Sequence, residues 1–99
     1  MNSKEKIDYI SSWIKNYANS YNFDSLVVGI SGGIDSAVTS TLCAKTSLKT
    51  IVVSMPILDH QTLNKRGENH INWLKENFEN IEKFDANLSE VFKLFQSVL

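Results

Sequence analysis

Ninety-nine residues, 42% apolar and 21% charged, describe a folded chain with room for one core rather than a disordered one. A net charge of −1 gives no basic field for nucleic acid, and no run approaches the roughly 18 apolar residues of a membrane span. Residues 1–5 lack the charged-then-apolar layout of a signal peptide, so the cytoplasm is the expected compartment.

Ile7, Ile10, Ile14, Tyr17 and Tyr21 recur at spacings of three and four, one face of an amphipathic helix. Ser3 is the expected N-cap, with Glu5 in the first turn, where a carboxylate favours the helix dipole. Asn19, Asn22 and Asp24 supply turn chemistry at the other end. The apolar stripe is expected to pack on the chain's own sheet, or in part to serve a dimer interface. Trp13, one position off the stripe, is available to a neighbour.

Residues 26–30 form an apolar run without alternation, the pattern of a strand buried on both faces in a parallel sheet. Gly29, just before the turn, leaves space for a ligand or another backbone. A polar turn follows, and residues 35–45 then read as a helix carrying Ala37, Val38, Thr41, Leu42 and Ala44, with Lys45 suited to its last turn. A strand feeding through glycines into a helix N-terminus is a way to hold phosphate. Backbone N–H groups of the first helical turn point at the anion, and the dipole favours negative charge there. Gly32 and Gly33 allow positive φ and place no Cβ between backbone and ligand. Ser31 and Ser36 add hydroxyl donors. A carboxylate beside phosphates repels them unless a cation intervenes, so Asp35 reads as a Mg²⁺ ligand. The single cysteine, Cys43, cannot form an intrachain disulfide. Its spacing from Thr39 and Leu42 makes it a small buried hydrophobe.

Residues 51–55 form a second β-branched run, stopped by Pro56. Strand, helix and strand make a right-handed βαβ unit, hence an α/β fold with a parallel sheet and flanking helices. Ligands in such sheets bind beyond the carboxyl ends of the strands, where residues 31–36 and 54–57 both fall. From Asp59, a capping residue, Leu63, Gly67, Ile71, Leu74 and Phe78 share one helical face. Lys65 and Arg66 lie near its start, either on a solvated face or within reach of phosphates. His60 and His70 lack partners at ligand spacing and read as polar surface or edge residues. Trp73, between the stripe positions, is placed to cover a neighbouring element. Residues 81–84 alternate like a short edge strand. Asn87 then reads as the cap of a helix bearing Leu88, Val91, Phe92 and Phe95, whose apolar face is still running at Leu99.

The loop is not the P-loop of kinases and GTPases, since no lysine follows Gly33, nor a dinucleotide fingerprint, since the glycines fall at 29, 32 and 33. Ser31-Gly32-Gly33-Ile34-Asp35-Ser36 resembles, residue for residue, the S-G-G-x-D-S loop of the N-type ATP pyrophosphatases. With the N-terminal amphipathic helix, the run from Val27 to Thr46 and the later Val52-Val53-Ser54-Met55-Pro56, the chain resembles the ammonia-dependent NAD synthetases. GMP synthetases follow strand 2 with an aspartate-bearing segment and tRNA lysidine synthetases with a histidine-rich one, and Ser54-Met55-Pro56 matches neither.

The resemblance implies an adenine nucleotide alpha hydrolase-like, Rossmann-like fold. It implies a homodimer using ATP and Mg²⁺ to amidate deamido-NAD⁺ with free ammonia, through an adenylate, releasing AMP and pyrophosphate. It places the ATP phosphates on Gly29, Ile30, Ser31, Gly32, Gly33, Ile34, Asp35 and Ser36, Mg²⁺ on Asp35, and adenine beside Met55. It assigns no catalytic residue beyond the loop. Family members run well over twice this length, so residues 1–99 are expected to be the N-terminal part of one such domain, with the sheet incomplete and the chain inactive alone. The far edge of strand 1, central in that superfamily, is expected to lack a partner here. Another S-G-G-x-D-S adenylating enzyme and a non-catalytic adenine-nucleotide module are the other readings.

Overall fold

The structure, a computed structural model, describes residues 2–55 and 61–85. The readings at Pro56, Asp59 and His60, and those from Asn87 to Leu99, lie outside the described residues. The elements are α1 (Ser3–Ser20), β1 (Ser25–Ile30), α2 (Ile34–Ala44), β2 (Lys49–Ser54), α3 (Gln61–Asn77) and β3 (Ile81–Asp85). The strands form a parallel sheet in the order β1-β2-β3. Ile30 of β1 lies level with Ser54 of β2, and Ser54 with Asp85 of β3. All three carboxyl ends therefore finish along one line.

Strand periodicity sends Val28 and Ile30, Thr50, Val52 and Ser54, and Ile81 and Lys83 to one face. There α2 packs on β1 and β2, and α3 packs on β2 and β3. Val28, Ile30, Cys43, Ala44, Val52, Ile71 and Leu74 make the buried core, with Leu26, Phe78 and Ile81 packed against it. The stripe read from Leu63 to Phe78 thus faces inward as expected. So does Cys43, whose thiol burial pushes up in pKa. The opposite face departs from the reading of a doubly covered β1. Val27 is 68% exposed and Phe84 is also open, because among the described residues both helices lie on the other side. The outer edge of β1 has no strand partner among the described residues.

Helix α1 differs from expectation at two points. Its N-cap is Asn2, not Ser3. The Asn2 side chain accepts from the Glu5 N–H at 2.8 Å, and the Glu5 carboxylate accepts from the Asn2 N–H at 3.3 Å. Only Asn2 has an acceptor three residues on; the residue three beyond Ser3 is Lys6. Second, α1 packs on α2 rather than on the sheet. The small Ser11 makes the approach, its buried hydroxyl donating to the Leu42 carbonyl at 3.0 Å, and Ala18 is buried further along the helix. The aromatic side chains of the stripe, with Trp13, remain largely exposed and stack on one another through Trp13, Tyr17, Tyr21 and Phe23.

Leu74→Ala, at a fully buried position, is expected to cost about 2–5 kcal/mol. Tyr21→Ala, on the exposed ladder, is expected to cost less than about 1 kcal/mol. Urea unfolding followed by far-UV circular dichroism checks both.

Candidate functional site

At the end of β1 the chain leaves the sheet at Ser31 and enters α2 at Ile34. The Met55 N–H donates to the Ile30 carbonyl at 3.2 Å, carrying the β1–β2 ladder one step beyond the strands. Gly32 has φ +89°, a left-handed conformation that glycine adopts without steric cost. A Cβ there would also collide with the Leu63 backbone carbonyl in the first turn of α3. Gly67, one turn further along α3, lies against the Gly32 amide.

The positive φ that both glycines allow is adopted by Gly32 alone. Gly33 is extended, at φ −82° and ψ 165°, and serves as the N-cap of α2. A glycine cap offers no side chain, and among the described residues none makes a capping hydrogen bond to the first turn. The N–H groups that begin an α-helix are therefore left for solvent or a ligand.

Two serines close this turn around the open amides. The Ser36 hydroxyl donates to the Gly33 carbonyl at 3.1 Å and accepts from the Ser31 N–H at 3.4 Å and the Ser31 hydroxyl at 3.5 Å. Asp35 is exposed in the first turn of α2, with no ion-pair partner among the described residues. Among those residues no three His, Cys, Asp or Glu side chains gather as a ready-made metal cage.

A cleft of about 230 Å³ runs between this loop and α3, walled by Gly32, Gly33, Ser36, Leu63, Arg66 and His70. Of the two basic residues at the start of α3, Arg66 thus reaches the loop side, and no carboxylate pairs with it among the described residues. Lys65 is exposed and does not line the cleft. A second cavity, about 150 Å³, opens over the carboxyl ends of the strands and is lined by Ser31, Ser54, Met55, Glu68 and Asp85 among others. Met55 thus borders the site, but its tip also fills the space left by the missing Cβ of Gly29. The gap read at Gly29 holds a side chain. A larger cavity of about 690 Å³ lies at the opposite end of the sheet, where Asp8, Lys45 and Asn80 meet, and no loop residue reaches it.

The sequence reading missed two groups of residues. Glu68 of α3 accepts from the Ser54 hydroxyl at 2.9 Å and from the Lys83 ammonium at 2.9 Å, and Lys83 also lies 3.5 Å from Asp85. The Lys83 bond, then the Ser54 bond, holds the Glu68 carboxyl below the usual carboxylate range, and Glu68 in turn raises Lys83. One signal was present: alternation along β3 puts Lys83 on the same face as Ile81. The second is the bond made by His70, expected as a polar surface or edge residue and found partly buried. Its Nε2 lies 2.9 Å from the hydroxyl of fully buried Ser40, and its ring stacks on Trp73 at 5.7 Å. Burial lowers its pKa, partly opposed by the Ala37 carbonyl.

A histidine with a lowered pKa stabilises the fold fully above the unfolded value, near 6.5. As pH falls through that value the unfolded chain takes up the proton first, and this contribution is lost. The urea midpoint is therefore expected to fall between about pH 7.5 and pH 5.5, and the fall to be smaller in His70→Gln, as paired urea titrations at the two pH values would show.

A family model described as NAD synthase matches residues 6–98. The NH(3)-dependent NAD(+) synthetase of Methanocaldococcus jannaschii is 30% identical over 92 residues, covering 93% of this chain and 35% of that protein. That of Carboxydothermus hydrogenoformans is 30% identical over 100 residues, covering 100% of this chain and 39% of that protein. Among solved structures, an NMN synthetase from Francisella tularensis superposes with a TM-score of 0.81 at 27% identity, over 99% of this chain and 40% of that one. An NH3-dependent NAD synthetase from Campylobacter jejuni, in complex with the nitrate ion, gives 0.75 at 20% identity, over 100% of this chain and 42% of that one, a likeness of fold. The chain spans about a third of the length of the curated relatives it matches.

Proposed function

The chain belongs to the NAD synthase family, and we propose that residues 31–36 bind the ATP phosphates of an enzyme that amidates deamido-NAD⁺ with ammonia. The observation that carries this reading is the turn itself. A left-handed Gly32 delivers the chain into an α-helix whose first amides have no side-chain cap, at the carboxyl end of β1. On this reading residues 1–99 form the N-terminal part of one ATP-pyrophosphatase domain.

The proposed reaction has two steps. A carboxylate oxygen of deamido-NAD⁺ attacks the α-phosphorus of ATP, the bond to the bridging oxygen breaks, and pyrophosphate leaves. Ammonia then attacks the acyl carbon, the bond from that carbon to the adenylate oxygen breaks, AMP leaves carrying that former carboxylate oxygen, and a proton is released as the amide forms. Charge builds up on the departing pyrophosphate, so fixed donors aimed there stabilise the transition state. The open amides of α2 are such donors, the Ser31 and Ser36 hydroxyls would join them on rotating away from Ser36 and the Gly33 carbonyl, and Arg66 adds a positive charge from the wall facing them. Asp35 and the Ser36 hydroxyl are hard oxygen donors, the set that suits Mg²⁺ shared with phosphate oxygens. Bound there, Mg²⁺ would neutralise phosphate charge. Met55 and Ser54, at the end of β2, border the adenosine side.

The exposed aromatic ladder of α1 supports a homodimer, and among the described residues no helix is long and apolar enough to cross a membrane. The cytoplasm is the proposed compartment. The closeness of the Francisella structure supports a second reading, in which the amidated product is NMN rather than NAD⁺. Pyrophosphate release from Mg·ATP, stimulated by deamido-NAD⁺ or by its mononucleotide counterpart, separates the two.

In an enzyme of the relatives' length that carries these residues, Asp35→Ala is expected to lower pyrophosphate release by about 100-fold or more. If the variant turns over like the parent protein, Asp35 is not the metal ligand. Arg66→Ala is expected to weaken Mg·ATP binding about tenfold, the effect of one charge-assisted bond to phosphate, as measured by titration calorimetry.

A further inference from the structure

Helix α3 meets the phosphate loop at two points and meets α2 at a third. Leu63 and Gly67 press on Gly32. One turn on, His70 Nε2 reaches the Ser40 hydroxyl, seven residues into α2, at 2.9 Å. Ser40 has no exposed surface, but its hydroxyl also bonds the Ala37 carbonyl at 3.1 Å. It therefore does not need His70 to be satisfied. The imidazole bond adds direction instead: apolar packing lets helices rotate and slide by small amounts, whereas a bond between two partly buried polar groups fixes both angle and register.

We propose that His70 is a positioning residue which, through Ser40, locks the rotation of α2 against α3 and so aims the amides and Ser36 hydroxyl of the phosphate loop. The bonds of Ser31 and Ser36 hold the turn within itself, so the angle of α2 against α3 is fixed from outside the turn. The neutral imidazole favoured by burial keeps this bond free of a buried charge. The inference rests on the reading of residues 31–36 as a nucleotide-phosphate site.

The test uses Mg·ATP as the calorimetric probe with the full chain, its His70→Phe, Ser40→Ala and His70→Gln variants, and the double variant of the first two. Phenylalanine keeps a ring beside Trp73, and glutamine keeps an amide able to bond Ser40. Each of the first two variants is expected to weaken binding about fivefold, the worth of one net hydrogen bond. The double variant should lose no more than either alone, because both act through one bond. His70→Gln should retain affinity within about twofold of the parent. Wild-type affinity in His70→Phe, or losses that multiply in the double variant, would overturn the proposal, even if the unfolding midpoint falls. Should His70→Phe fail to fold, Ser40→Ala decides alone.

Hydrogen exchange at residues 32–36 in the ligand-free chain gives an independent readout. It should be faster in His70→Phe, and unchanged exchange would contradict the positioning role. Absence of Mg·ATP binding by the unaltered chain would instead sink the phosphate-site reading, leaving the exchange result to judge the latch.

Discussion

At Gly32 the backbone turns left-handed directly under the first turn of α3, with the Leu63 carbonyl where any side chain would begin. Two requirements meet at one residue, a positive φ and no Cβ, and glycine is the side chain that satisfies both. Much else follows from that contact. To lie so close, α3 carries a second glycine, Gly67, against the Gly32 amide. Behind the contact, Ile71 and Leu74 fill the core, so the element that buries the sheet is also the one that braces the loop. Shifting α3 outward by the width of a methyl group would open the core and the turn together.

The carboxyl ends of the strands divide into two chemical regions. On the side of β1 and α2 lie open amides, serine hydroxyls and Arg66, all suited to an anion. On the side of β2 and β3, Glu68 is tied to Ser54 and Lys83, and Lys83 to Asp85. Two acids share one base, so one net negative charge stays on this side, while the bonds cross-link α3 to the strand ends. Ser31 and Met55 line the passage between the regions. A nucleotide held by its phosphates on the first region would extend over the second.

Local signals in the sequence carried the βαβ order, the position of the loop and the inward face of α3. A β-branched run, a glycine turn and a stripe such as Gly67, Ile71 and Leu74 each report on their own few residues. What could not be read depends on contacts far apart in the chain. Periodicity along α1 showed that Ile10 and Tyr17 share a side, but the bond to α2 is made by the small, buried Ser11. Ser40 and His70 are thirty residues apart, and Glu68 and Lys83 fifteen. Neither pair leaves a periodic trace, because each depends on where two helices or a helix and a strand are docked.

Chemical-shift mapping of ¹⁵N-labelled chain during titration with Mg·ATP tests the central claim most directly, since it reports residue by residue where the nucleotide lands. The largest saturable shifts are expected on the amides of Gly32, Gly33, Ile34, Asp35 and Ser36, with smaller ones at Met55. Shifts centred on the opposite cavity at Asp8, Lys45 and Asn80, with the loop amides unmoved, would contradict it.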